Sequence, residues 1–282
     1  MQDVNRLELL LKADDFFQIA KRFIVGLILN FNDRKLSQPF FLKCCTSMLS
    51  RGMDTLKKMD KEDAKTLVES VNNIEFDQSI LLWHIASDLC YHSTVQNPYN
   101  STQRQRISKE LLDYMLYLLI VHRSMLTAGI GQIRYGDTCA EAKQFFDEND
   151  LQSDEEKKAC EELLKVDTRI PPAIIKGDAS KSVLFDAVIL AKELLKLEEE
   201  RRWELMSRVW VEMLCFTATH CRGFIHAKQL SDGGELLTFV WLLTVHLGMG
   251  DQYMIEQSEE EQIAALQAYR RHAKEQINGS IA

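Results

Sequence analysis

The stretch 201–248, RRWELMSRVWVEMLCFTATHCRGFIHAKQLSDGGELLTFVWLLTVHLG, constrains this chain more than any other part of it. On a helical wheel, Trp203, Leu205, Met206, Val209, Trp210, Met213, Leu214, Phe216, Thr217, His220 and Cys221 cover more than half the circumference. Glu204, Arg208 and Glu212 share one narrow strip at successive i, i+4 spacings. A helix with that pattern is wrapped by neighbours. Farther on, Leu236 to Leu247 carries no formally charged side chain. An element apolar on all sides belongs in a helical core or in lipid, and this one is shorter than the ~20 residues a bilayer requires. The pattern predicts two core helices, near 201–221 and 233–248, joined by a short polar connection. Asp232 followed by Gly233, Gly234 and Glu235 reads as a capping box that opens the second.

A chain of 282 residues can bury a full core without staples, and 4 prolines with 12 glycines suit helices better than a turn-rich β fold. The expected fold is all-α, an irregular bundle of about ten to twelve helices. The net charge of −8 opposes phosphate backbones, and no basic and aromatic surface alternates along the chain, so nucleic acid is not an expected partner. Seven cysteines without a CxxC pair, and no signal peptide at Met1 to Arg6, point to reduced thiols in a reducing compartment.

Along the chain, helical spacing of Leu7, Leu10, Leu11, Phe17, Phe23, Ile24, Leu27 and Ile28 predicts a first helix over 4–29. Its most apolar part is too short to span a bilayer, yet the segment from Phe16 to Phe31 can rest on a membrane surface. A helix after Pro39 and another after Asp60, ending at Val71-Asn72-Asn73, complete an N-terminal segment, 1–73. The helical body is 74–282. Within it Asp77 reads as the N-cap of a helix over 78–91, and a long core helix fills 104–126. Thr138 with Glu141 reads as a capping box, and Ser180 or Asp178 caps a helix over 183–197. A last amphipathic helix covers 258–277 through Ile263, Leu266 and Tyr269.

The runs SKSVLFDAVILAKELL (180–195), WELMSRVWVEMLCFTATHCRG (203–223), HAKQL (226–230) and GGELLTFVWLL (233–243) resemble the plant family of domain of unknown function 594, with its core at about 178–250. Upstream, ILLWHIASDLCY (80–91) and GIGQIRYGDTCAEA (129–142) resemble the associated domain of unknown function 4220. Longer members of that family carry predicted membrane spans ahead of this body. The resemblance implies a membrane-associated family with no assigned activity, and this chain departs from it by lacking the spans and by a short connection over 41–75.

Among candidate sites, His84, Asp88 and His92 form one helical stripe at i, i+4, i+8. That spacing suits a metal or a general base held by a carboxylate, and equally a carboxylate that hydrogen-bonds a histidine or a neighbouring helix end. Cys215, His220, Cys221, His226 and His246 bring soft ligands close in sequence without zinc-site spacing, which suits core cysteines and a satisfied histidine. Residues 176–182, with Lys176 and Lys181, lack P-loop spacing, as does Gly129-Ile130-Gly131. No cofactor or metal is expected. The reading is a non-catalytic helical interaction module with a protein partner, cytoplasmic or peripheral on a membrane. The alternative is an enzyme or small-ligand or metal-binding protein with a polar site around His84 and Asp88. Glu204, Arg208, Glu212 and His220 are further candidate ligand-binding residues, the strip being the place where a partner is read if it is buried.

Overall fold

In the computed structural model, which describes residues 50–59, 65–94, 102–126, 130–149, 156–167 and 182–246, the helix with most of its residues buried among others is Phe76–Thr94 (α3). Ahead of it lie Met53–Leu56 (α1) and Lys65–Asn72 (α2). After it come Gln103–Ile120 (α4), a 3-10 turn at Arg123–Met125, Gly131–Glu148 (α5), Glu156–Lys165 (α6), Val183–Leu195 (α7), Glu199–His220 (α8), Gly223–Ser231 (α9) and Leu236–His246 (α10). No strand occurs among the described residues, so the all-α bundle expected from the sequence is what forms.

The packing centres on α3, which lies against α7 on one side and α4 on another. The second hub is α8, packed on α4, on α10 and on the short α1. Trp83 and Trp210 are fully buried. Each also resolves its one polar atom: the Trp83 indole N–H donates to Ser70 Oγ at 2.9 Å, and that of Trp210 to Ser87 Oγ at 3.1 Å. Burying a tryptophan removes roughly 150–250 Å² from water. At ~25 cal/mol per Å² each ring contributes roughly 4–6 kcal/mol before chain entropy is counted. The serines fix which way the rings point, and with them the register of α2 and α8 on α3.

The central helices predicted near 104–126, 201–221 and 233–248 correspond to α4, α8 and α10. Several termini fall elsewhere, for local reasons. The helix expected to run to 126 ends at Ile120, and a 3-10 turn takes the chain on. Its start is a capping box missed in the sequence: Gln105 N–H donates to Thr102 Oγ1 at 3.3 Å, and Thr102 N–H to Gln105 Oε1 at 2.6 Å. Asp77 lies inside the first turn of α3 rather than capping it, because Arg134 takes its carboxylate. Thr138 is interior to α5, its hydroxyl donating to Arg134 O at 2.7 Å, so no helix begins there. The N-cap of α7 is Ser182, accepting from Phe185 N at 3.1 Å.

The largest departure is at 223–235. The connection is itself a helix, α9, and Asp232-Gly233-Gly234 closes it instead of opening α10. Gly233 and Gly234 have φ of 111° and 94°, and Gly234 N–H reaches back to Gln229 O at 2.7 Å. That six-to-one bond with a left-handed glycine is the Schellman end of a helix. The helices expected over 4–29, after Pro39 and over 258–277 lie outside the described residues, as do Cys44, Cys45 and the surface segment from Phe16 to Phe31.

Candidate functional site

The His84, Asp88, His92 stripe faces α4, where Lys109 and Asp113 are also one turn apart. Lys109 Nζ donates to Asp88 Oδ1 at 2.8 Å and to Asp113 Oδ1 at 3.1 Å, and His92 Nε2 stands 3.7 Å from Asp88 Oδ2. Burial alone would push the Asp88 carboxyl up. Lys109, aided by the two histidines, outweighs that and holds it below the usual carboxylate range. Burial likewise works against the Lys109 ammonium, but Asp88 and Asp113 hold its proton more tightly than usual. Asp88 is therefore a fixed anion with a resident cation.

His84 is the deeper histidine. Its Nδ1 lies 3.2 Å from Leu112 O, which can only accept, so Nδ1 carries the hydrogen. Burial, against the pull of Asp88 and Asp113, holds the ring below its ordinary pKa, in the neutral form. The structure thus realises the helix-bridging use of this stripe: α3 is tied to α4 through Asp88 to Lys109 and through His84 to a backbone carbonyl. Among the described residues no three His, Cys, Asp or Glu side chains converge as a metal site.

The α8 strip divides into two environments. Glu204 meets Arg208 at 2.5 Å and Arg104 of α4 at 3.5 Å, all three well exposed. Such pairs contribute at most about 1 kcal/mol. Glu212, two turns on, is buried at 8 % exposure, accepting from Ser50 Oγ at 3.0 Å and from Thr55 Oγ1 at 2.5 Å. It anchors α1 to α8. Gly52, beside those hydroxyls, has φ 102° and packs so closely that a β-carbon there would stand 2.9 Å from Val209 Cγ1.

His220 ends α8. Its Nδ1 is 2.8 Å from Phe216 O, and its ring stacks on Phe216 at 3.8 Å between centroids, with the Arg51 guanidinium 5.0 Å from that phenyl ring. His226 is completely buried, with Nδ1 at 3.1 Å from Thr238 Oγ1, Nε2 at 3.0 Å from Ala218 O, and its ring parallel to Trp241 at 4.7 Å. One histidine therefore joins α8, α9 and α10. Burial lowers its pKa. Burial also pushes the Cys221 thiol up to about 11 and that of Cys90 to about 12, the opposite of what a nucleophile needs. The described part of the loop at 176–182 is Ser182 alone, and it acts as a helix cap.

Two polar groupings were not singled out from the sequence. Glu235, just before α10, is 6 % exposed, and burial pushes its carboxyl up to about 7. Tyr114 of α4 lies beside this carboxyl and accepts from Leu237 N–H at 2.9 Å, so a buried phenol caps α10. At the opposite end of α3, Arg134 donates to Asp77 Oδ2 at 3.3 Å and to Gln78 Oε1 at 3.0 Å. Beside this pair lies a cleft of about 470 Å³ lined by Phe76, Ile80, Leu119, Leu126, Ile130 and Ile133, with Arg123, Ser124 and Gln132 supplying polar groups. The signal for it was the GIGQIRYGDTCAEA run, whose Gly131 and Arg134 build this corner.

The outer surface of α10 carries a further feature. Phe239, Leu242 and Val245 are 37 %, 39 % and 45 % exposed and fall within one third of the helix circumference. No helix of the described residues is long and apolar enough to cross a membrane.

Residues 196–249 match the family described as Protein of unknown function, DUF594. The match runs from the end of α7 through α8, α9 and α10, and so contains the His226 junction, Glu212, Glu235 and the exposed α10 row. No curated protein and no solved structure matches the chain.

Proposed function

We propose that the protein is a non-catalytic helical interaction module that docks a protein partner, as a plant member of a membrane-associated family, cytoplasmic or peripheral on a membrane. The observation that carries this reading is the row Phe239, Leu242 and Val245, left at the surface of a helix that has no charged residue. A helix-in-groove contact uses anchors at this spacing. The groups that chemistry would recruit support it from the other side, since Asp88, His84, Glu212 and His226 are each engaged in joining helices, and His220 is held against Phe216 of its own helix.

Affinity capture with the full chain from plant extract tests it. Proteins retained by the wild type are lost by Phe239→Lys/Leu242→Lys, whose melting temperature stays within a few degrees. Identical captured proteins would refute the reading. Flotation with anionic liposomes tests the peripheral arm, and a chain that stays at the bottom of the gradient removes it.

Small-ligand binding is the second reading. It draws on the mixed apolar and polar cleft at Phe76, Leu119 and Arg123 rather than on His84 and Asp88, whose partners are in place. Titration with 1-anilinonaphthalene-8-sulfonate reports it: enhancement that Ile80→Asp leaves unchanged would place the dye elsewhere and dismiss the cleft.

A further inference from the structure

The cleft beside Asp77 and Arg134 is particular enough in its chemistry to give its ligand a class. Phe76, Ile80 and Leu119 are buried and form its floor, where α3 packs on α4. Ile130 and Ile133 edge it at 52 % and 63 % exposure. A lone exposed isoleucine is ordinary, but two that border a concave apolar floor are what lines a ligand pocket. Volume sets the size of the occupant. A cavity of about 150 Å³ holds a benzene ring, so one of about 470 Å³ has room for on the order of fifteen non-hydrogen atoms.

Charge decides the head group. Asp77 is the one carboxylate among the described lining residues, and Arg134 meets it at 3.3 Å while also donating to Gln78, so this pair is closed on itself. Arg123 is different. It is exposed in the 3-10 turn that follows α4, and its guanidinium has no hydrogen-bond or ion-pair partner among the described residues. The hydroxyl of Ser124, beside it in the lining, has none there either. The cleft therefore presents apolar walls, a cancelled ion pair and one positive charge with donors to spare. A bare anion would gain little, because a single exposed cation holds its partner weakly in water. A cationic head would be repelled by Arg123, and a neutral one would leave most of its N–H donors to water. An apolar body that ends in a carboxylate uses both parts of the lining, the planar fork of the guanidinium being matched to two oxygens.

We propose that the cleft binds a small amphipathic monocarboxylate, with its apolar body on Phe76, Leu119, Ile130 and Ile133 and its carboxylate on Arg123 and Ser124. The inference rests on the small-ligand reading of this cleft and adds the charge of the ligand. The test is saturation-transfer NMR of the full chain with octanoate, and with 1-octanol and octylamine as its neutral and cationic counterparts. Octanoate is expected to bind about tenfold more tightly than 1-octanol, with octylamine weakest, and to displace 1-anilinonaphthalene-8-sulfonate. Arg123→Gln brings octanoate down to the level of 1-octanol and leaves 1-octanol unchanged, whereas Ile133→Asp weakens both. Both substitutions fall at exposed positions, and the melting temperature stays within a few degrees. Equal binding of octanoate and 1-octanol by the wild type, or octanoate binding indifferent to Arg123→Gln, overturns the carboxylate assignment and leaves the small-ligand reading standing if Ile133→Asp still weakens both. Octanoate binding indifferent to Ile133→Asp places the ligand outside the cleft and overturns the proposal. No octanoate binding overturns it as well, and the small-ligand reading then survives only if Ile133→Asp lowers the dye enhancement.

Discussion

Glu204 and Glu212 sit on the same strip of the same helix, two turns apart, and differ in what lies over them. Glu204 shares Arg208 and Arg104 in water, and Glu212 lies beneath Ser50 and Thr55, which are 162 and 157 residues away in sequence. Wheel position is a local property, so it places both carboxylates correctly and says nothing about the cover. Glu212→Ala strips both hydroxyls of a charged acceptor and is expected to destabilise the fold by about 1.5–3 kcal/mol, against less than about 1 kcal/mol for Glu204→Ala, in urea unfolding. Equal losses would mean that Glu212 does not hold α1. The cysteines divide by the same criterion. Cys139 is exposed, while Cys90 and Cys221 are buried with raised thiol pKa values. Mild iodoacetamide at neutral pH is expected to label Cys139 while leaving Cys90 and Cys221 unmodified by mass spectrometry until the chain unfolds.

At the scale of elements, legibility depended on how much of a helix is decided by its own residues. The apolar spans of α4, α8 and α10 were readable because every turn repeats the pattern. Ends were not, because a residue such as Asp77 is either a cap or an ion-pair partner, and only Arg134, from a distant helix, decides. Asp232-Gly233-Gly234 is a sharper case: the same letters permit a helix start through aspartate or a helix stop through left-handed glycine, and the backbone uses them as a stop. The helical character of 223–231 was hidden by its mixed polarity. Two glycine substitutions of opposite sign test this assignment. Gly234→Ala is expected to cost about 1 kcal/mol or more, since φ is 94° and the new β-carbon stands 3.2 Å from the Phe239 ring. Gly136→Ala, inside α5 with open space around it, is expected to stabilise by about 0.5–1 kcal/mol. Thermal unfolding of the two variants distinguishes them by direction alone. The candidate site was legible as residue types and not as roles: His84 and Asp88 do lie on one stripe, but Lys109 arrives from α4.

For the molecule as a whole, the junction of α4 with α10 makes stability depend on pH in a direction opposite to that of the histidines. His84, His122 and His226 are lowered by burial, so below pH 6.5 the unfolded chain takes up more protons than the fold, and stability falls as the solution is acidified. Glu235 behaves inversely. Burial raises its carboxyl from 4.5 to about 7, so between those values the folded chain holds the extra proton. Its contribution is complete below about pH 4.5 and is lost as pH rises through about 7, by roughly 3 kcal/mol in total for a shift of this size. Glu235→Gln keeps the shape and cannot ionise, while Tyr114 retains its bond from Leu237 N–H. The variant is therefore expected to match the wild type in urea unfolding at pH 5 and to exceed it by roughly 2 kcal/mol at pH 8, the histidine contributions cancelling in the comparison. A difference that does not change with pH would show that Glu235 is ionised in the fold throughout. In that case the buried end of α10 would be held by a charged carboxylate rather than by a protonated one.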